Sequence, residues 1–496
     1  MKSISDQPLK QNTAASSVKR LSTMRRLNPP ALVVSVAWFL IYLVIVATIA
    51  YFQIQGNGRF GIRVWDAVIP LDWTATQFAA WAGGADIGSY ARSAMHLLRE
   101  GRFEDWTMNL WPPGFPFIIS AIIRLTGESY YPLKMLALSV VAWAAALCFI
   151  RQSFGGLRNR GFRIALPLAP MVFSTIRTTV FGEYIFGSES ISVPIFVILV
   201  CLIIRWIATA QPRYLYFASI LLAGLAYLRG YFELFGNFLT LLALAILLFR
   251  LWSRSIRGMV QPTSHEDHQE RRELSISHRL VHNQFFPLFM ALTIFSALLI
   301  PWRTANLQRG TSLAWLHADY FWGNAWKPDN SLHKMYALSG INTPCHVSPS
   351  VCHSLDEYDP KKNKLGYSFY KELALITFLL HPIDWYRYKG RFFSELWFGH
   401  KPRGWARVEG TTIALMGIAG FIILFWKKRA HSPRSVYFLV FAIGFLLFNI
   451  AVFTFLHFEW RYSIFLRVFF VMLPCWGLLA LTPHRHNAPE GNRSLV

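Results

Sequence analysis

Residues 31–52 read ALVVSVAWFLIYLVIVATIAYF, an uncharged run preceded by Lys19, Arg20, Arg25 and Arg26. A helix needs about 20 such residues to cross roughly 30 Å of hydrocarbon, so the stretch reads as a membrane span with its basic flank held at the cytoplasmic side. It lacks a small-residue cleavage site, which makes it an uncleaved first span that exits outward rather than a signal peptide. Working outward from it, comparable runs recur at about 131–150, 164–181, 189–205, 214–228, 231–250, 285–301, 410–426, 435–455 and 462–481. Ten spans return the C-terminus to the cytoplasm.

Composition agrees with that pattern. Over 496 residues the chain is 54% hydrophobic and only 15% charged, with a mean hydropathy of +0.34, which excludes a disordered chain and argues against an ordinary soluble enzyme. The formal charge of +23 would suit nucleic acid by its total. Its placement says otherwise, because the basic residues cluster in short connectors between apolar runs, where anionic headgroups and positive-inside topology account for them. The connectors that ten spans place inside (151–163, 205–213, 250–284, 427–434 and the tail after Thr482) each hold at least two Lys or Arg, whereas the outward connectors 181–188 and 456–460 hold none.

The chain thus divides into a cytoplasmic tail (1–30), a transmembrane module (31–301) with a first outward loop (53–130), a second outward segment (302–409), the last spans (410–481) and a cytoplasmic tail (482–496). Within the first loop, Pro112 to Leu125 is apolar but too short to span. Counting it as a span would put the arginine clusters outside, so it reads as a juxtamembrane or re-entrant helix. The longest cytoplasmic piece, Arg250 to Gln284, is too small for a nucleotide-binding domain. Gly56-Asn57-Gly58-Arg59-Phe60-Gly61 follows a span rather than a strand and is a loop, not a dinucleotide fingerprint. His265-Glu266-Asp267-His268 reads as a solvated connector. Cys345 and Cys352 lie in the second outward segment, where an oxidising compartment permits a disulfide. Lys371 to Trp397 mixes aromatic and basic residues as a headgroup-level helix does.

The chemistry concentrates in the first loop. In Gly83-Gly84-Ala85-Asp86-Ile87-Gly88-Ser89-Tyr90, helical spacing puts Asp86 at the start of an interfacial helix with Tyr90 one turn along. On residue types alone, Asp86 is a helix cap. Further along, Glu189, Arg229, Arg303, His457 and Arg461 all fall at outward span ends, and polar groups kept near hydrocarbon tend to be functional.

The pattern from Asp86 and Tyr90 to Gly101, followed by Trp111-Pro112-Pro113-Gly114-Phe115-Pro116, resembles the first outward loop of the bacterial GT-C glycosyltransferases, the superfamily of protein mannosyltransferases and aminoarabinose transferases. Phe186-Gly187-Ser188-Glu189-Ser190 resembles that family's second acidic loop, with Glu183 a competitor. Pro301-Trp302-Arg303-Thr304-Ala305-Asn306 resembles its Pro-Trp-x-x-Arg-Asn turn, with the arginine early, and His457-Phe458-Glu459-Trp460-Arg461-Tyr462 resembles its His-x-Glu-x-Arg-Tyr element. No Asp-x-Asp stands in the second loop.

The resemblance implies an all-α polytopic fold of about ten transmembrane helices with juxtamembrane helices, in a bacterial inner membrane with both termini cytoplasmic. It implies Asp86 as catalytic base, with Glu189 assisting. The substrate-binding set is then Tyr90, Arg229, Arg303, His457, Glu459, Arg461 and Tyr462. The donor is a polyprenyl-phosphate-linked sugar and the acceptor a glycan, lipid or protein. A divalent ion held by Asp86 and Glu189 stays an open alternative. The rival reading is a transporter or flippase for a lipid-linked saccharide, which calls for ionisable residues or broken helices at mid-membrane rather than at the outer edge.

Overall fold

The computed structural model describes residues 29–55, 61–64, 67–103, 112–154, 167–176, 179, 182–209, 211–260, 286–308, 404–428, 433–455 and 460–481, together with 379, 382, 383, 386, 390, 393 and 397. Almost all of these are helical. The chain opens with α1 (Pro29–Gln55), a short hairpin of β1 (Ile62–Val64) and β2 (Ala67–Ile69), then α2 (Ala75–Ala82), α3 (Asp86–Glu100), α4 (Gly114–Thr126) and α5 (Tyr131–Ser153). A π-helical turn (Val172–Ile176) and a 3-10 turn (Gly182–Phe186) lead into α6 (Glu189–Thr209), α7 (Pro212–Leu228) and α8 (Gly230–Val260). Then come α9 (Phe286–Leu298) and α10 (Ile300–Gln308), and finally α11 (Gly404–Lys428), α12 (Pro433–Phe455) and α13 (Trp460–Leu481).

Four helices are long and apolar enough to cross a membrane by themselves: α1, α5, α6 and α11. The pair α9 and α10 makes a fifth if counted as one bent span, and apolar stretches of α7, α8, α12 and α13 run alongside. The chain is therefore an all-helical membrane-type protein with one small antiparallel hairpin, in which Ile62 pairs with Ile69 and Val64 with Ala67. α6 is central, and α1 and α11 lie at the periphery with faces of exposed Val, Leu and Ile.

Hydrophobic transfer from water cannot drive association inside lipid, so close van der Waals fit and polar links must hold the bundle. Phe196 of α6 meets Phe232, Phe445 and Phe465 at 5.5 to 5.6 Å between ring centres, locking α6 to α8, α12 and α13. α11 and α13 approach through Gly420, whose missing side chain leaves room for the Leu473 backbone; a Cβ there would sit 2.8 Å from it. Pro194 inside α6 cannot donate to the Ser190 carbonyl, and the Ser139 hydroxyl of α5 donates to that oxygen at 3.4 Å. α2 starts with a capping box, Thr74 Oγ1 accepting from Gln77 N and Gln77 Oε1 from Thr74 N.

Contacts sort the helix ends into two sets. At one end Arg151 of α5 lies over Trp38 of α1 at 4.1 Å, and Arg205 of α6 over Tyr214 of α7 at 5.0 Å. At the other end Tyr131 of α5 and Phe78 of α2 both stack on Phe186, at 6.0 and 4.2 Å. Glu189 of α6 meets Arg229 after α7 there too. Each of α5, α6 and α7 contributes opposite termini to the two sets, so these helices run antiparallel, with one end gathering residues 67–103, 112–131, 182–189, 227–237 and 298–306.

Candidate functional site

At that end the helices stop or turn, and each stop brings a polar group. α7 ends at Arg229, which has extended backbone angles (φ −151°, ψ 125°), and α8 resumes at Gly230. The break turns the Arg229 side chain back toward the start of α6. Its Nε donates to Ser188 Oγ at 2.9 Å and its Nη2 donates to Glu189 Oε1. Arg229 is 7% exposed and Glu189 not at all. Two charges removed from water require such pairing, since a buried lone charge costs several kcal/mol.

A second pair lies one turn into α8. Arg303 Nε donates to Glu233 Oε1 at 3.2 Å and Arg303 Nη2 to Asn237 Oδ1 at 3.1 Å. Glu233 is buried, while the arginine keeps 22% of its side-chain surface exposed. The chain reaches Arg303 through a 40° bend between α9 and α10. Pro301, in the first turn of α10, has no N–H to give and tolerates that break. Trp302 is buried beside Tyr227, ring centres 6.3 Å apart. The Tyr227 hydroxyl donates to the Leu298 carbonyl at 3.0 Å.

The first outward segment packs on this group. α4 starts at Gly114, where a Cβ would stand 2.6 Å from the Tyr227 carbonyl oxygen, so the Pro-Pro-Gly turn abuts the chain two residues before Arg229. Phe115, next along, meets Tyr90 of α3 edge to face at 5.2 Å. Tyr90 is buried, so its ring packs α3 on α4 rather than standing open to a ligand. Asp86 is half-buried in the first turn of α3, one turn before Tyr90. The cap position belongs to Ala85, with no side-chain cap hydrogen bond. The capping reading of Asp86 therefore gives way: its carboxylate stands at the positive end of the α3 dipole without acting as the cap. A contact path runs from Asp86 through Tyr90, Phe115 and Gly114 to Tyr227, Arg229 and Trp302.

Of the residues singled out in the sequence, Asp86, Tyr90, Glu189, Arg229 and Arg303 thus share one end of the bundle. Glu189, which the resemblance implies as assisting Asp86, is enclosed and bound to Arg229. Arg461 and Tyr462 begin α13, their side chains outside the described residues, and His457, Glu459, Trp111, Glu183 (as a side chain), Cys345 and Cys352 lie outside them too. Among the described residues no three His, Cys, Asp or Glu side chains come together as metal ligands, and Glu189 Oε1 is engaged by Arg229.

Three groups escaped the sequence reading. Glu233 and Asn237 sit inside the apolar run 231–250. Arg467 of α13 donates through Nη2 to the Trp397 carbonyl, lies over the Trp397 ring at 5.3 Å and faces Glu409 at 3.6 Å. Ionisable residues inside spans are rare enough that Glu233 and Arg467 carried a signal, whereas the neutral Asn237 carried none.

Comparison with protein-family models finds none that matches the chain, and comparison with curated protein sequences finds no match either.

Proposed function

We infer that the chain is a GT-C-type membrane glycosyltransferase of ten spans, set in a bacterial inner membrane with both termini cytoplasmic. It transfers a sugar from a polyprenyl-phosphate donor to a glycan, lipid or protein acceptor at the outer face. The observation that carries the reading is the clustering at one bundle end of a helix-start carboxylate, Asp86, with Arg229 and Arg303 through packed neighbours. Nucleotide sugars are cytoplasmic, and no connector of this chain is large enough to bind one there, which favours a lipid-borne donor.

The reaction needs little machinery because phosphate is already a good leaving group. Asp86 takes the proton of the acceptor hydroxyl as its oxygen bonds the anomeric carbon. The bond from that carbon to the phosphate oxygen breaks, its electron pair stays on phosphate, and the configuration inverts. Arg303, partly exposed, receives the departing phosphate; the family resemblance adds His457 and Arg461 as further cations. Arg229, enclosed by Ser188 and Glu189, instead fixes the junction that carries α8.

Asp86→Asn and Asp86→Ala test the base. Both proteins should reach the membrane at normal levels, lose transfer by a factor on the order of 10²–10⁴, and leave the envelope glycan of the deletion strain without its sugar. Full transfer by either variant would remove Asp86 from the mechanism.

A further inference from the structure

Arg303 is ion-paired yet keeps 22% of its side-chain surface exposed, against 7% for Arg229 and 9% for Arg467. The way it is held matters more than its exposure. A planar guanidinium has two edges that suit two-point recognition, one formed by Nε and Nη2 and one by Nη1 and Nη2. Glu233 and Asn237 are four residues apart, hence on one face of α8, and they take Nε and Nη2 respectively. Both acceptors occupy the first edge. The second keeps its Nη1 donors.

We propose that Glu233 and Asn237 are positioning residues that clamp one edge of Arg303 so that its Nη1/Nη2 edge forms an oxyanion site for the phosphate of a polyprenyl lipid. The proposal deepens the transferase reading and rests on it for the lipid. Burial of Glu233 keeps the carboxylate from turning outward to solvent. The pair is close to neutral in sum, so the site recognises an anion by the direction of its remaining N–H groups rather than by net charge. A phosphodiester presents two in-plane oxygens that such an edge matches, which a lysine at the same place cannot reproduce.

The test uses the full-length protein in detergent, titrated with undecaprenyl monophosphate and, in a second arm, with inorganic phosphate. Arg303→Lys, Glu233→Ala and Asn237→Ala should each weaken lipid binding by about tenfold or more. Glu233→Gln, which keeps an acceptor for Nε, should lose less. In the Arg303→Lys background Glu233→Ala should add nothing further, since a positioning residue acts through the group it positions. Thermal unfolding of each variant separates folding loss from binding loss.

Unchanged lipid binding in Arg303→Lys, or a full Glu233→Ala effect persisting without Arg303, would overturn the clamp. Inorganic phosphate binding as tightly as the lipid would confirm the oxyanion edge and overturn the lipid as its ligand. A wild type that binds the lipid through Arg303 but transfers no sugar would uphold the site and defeat the transferase reading.

Discussion

Gly187 lacks a side chain for a reason that its neighbour supplies: a Cβ there would overlap Glu189 Oε2. Gly187→Ala should therefore push the Glu189 carboxylate off Arg229 and destabilise the protein by about 1–3 kcal/mol. Glu189→Gln or Arg229→Gln, each leaving one buried charge without its counter-charge, should cost about 3–5 kcal/mol. The double variant should cost less than the two summed. Unfolding in detergent micelles measures all three, and additive losses would refute the pairing as the source of stability. Glu189, Arg229 and Arg303 were legible in the sequence because they stand at the edges of apolar runs. Their partners were less so. Glu233 and Asn237 lie in the first two turns of such a run, where hydropathy averages them away, and only the rule that a charge inside a span needs a partner would have marked them.

The spans at α1, α5, α6 and α11 were readable as apolar runs of crossing length, and the short helix at Pro112 to Leu125 appears as α4, 13 residues from Gly114 to Thr126. The hairpin was not readable, since three residues per strand give too little alternation to register. Nor was the bend at Leu299, because residues 288–300 hold no Pro, Gly or charge to mark it. At this scale the tight seam is α4 against α7. Gly114→Ala should wedge α4 away from Tyr227, raise amide exchange in α3 and α4, and reduce activity without unfolding the bundle. Exchange confined to α7 would show that the first outward segment does not depend on that seam. Trp397 is the corresponding link for the second segment: buried over Arg467, it also donates through Nε1 to the Gly410 carbonyl at 2.9 Å. Trp397→Ala should lower the unfolding midpoint by more than Trp397→Phe, which keeps a ring for the guanidinium, the cation–π part being about 0.5–2 kcal/mol.

At the scale of the bundle, the termini of α5, α6 and α7 alternate between the two sets of helix ends. Gly127, between α4 and α5, belongs with the polar end, and Gln211, between α6 and α7, with the opposite one. Single cysteines at these positions, in a protein whose native cysteines are replaced, should react with an impermeant maleimide from outside the cell at 127 and only after permeabilisation at 211. Labelling of both from one side would break the ten-span topology and with it the outer location of the site.

The Tyr231 hydroxyl donates to Asn449 Oδ1 at 2.9 Å, a bond between buried groups 218 residues apart in the chain. A ribosome adding about 5–20 residues per second needs roughly 10–40 seconds to deliver the second partner after the first. Throughout that interval this bond cannot form, so the link it makes between the two halves of the protein closes only late in synthesis.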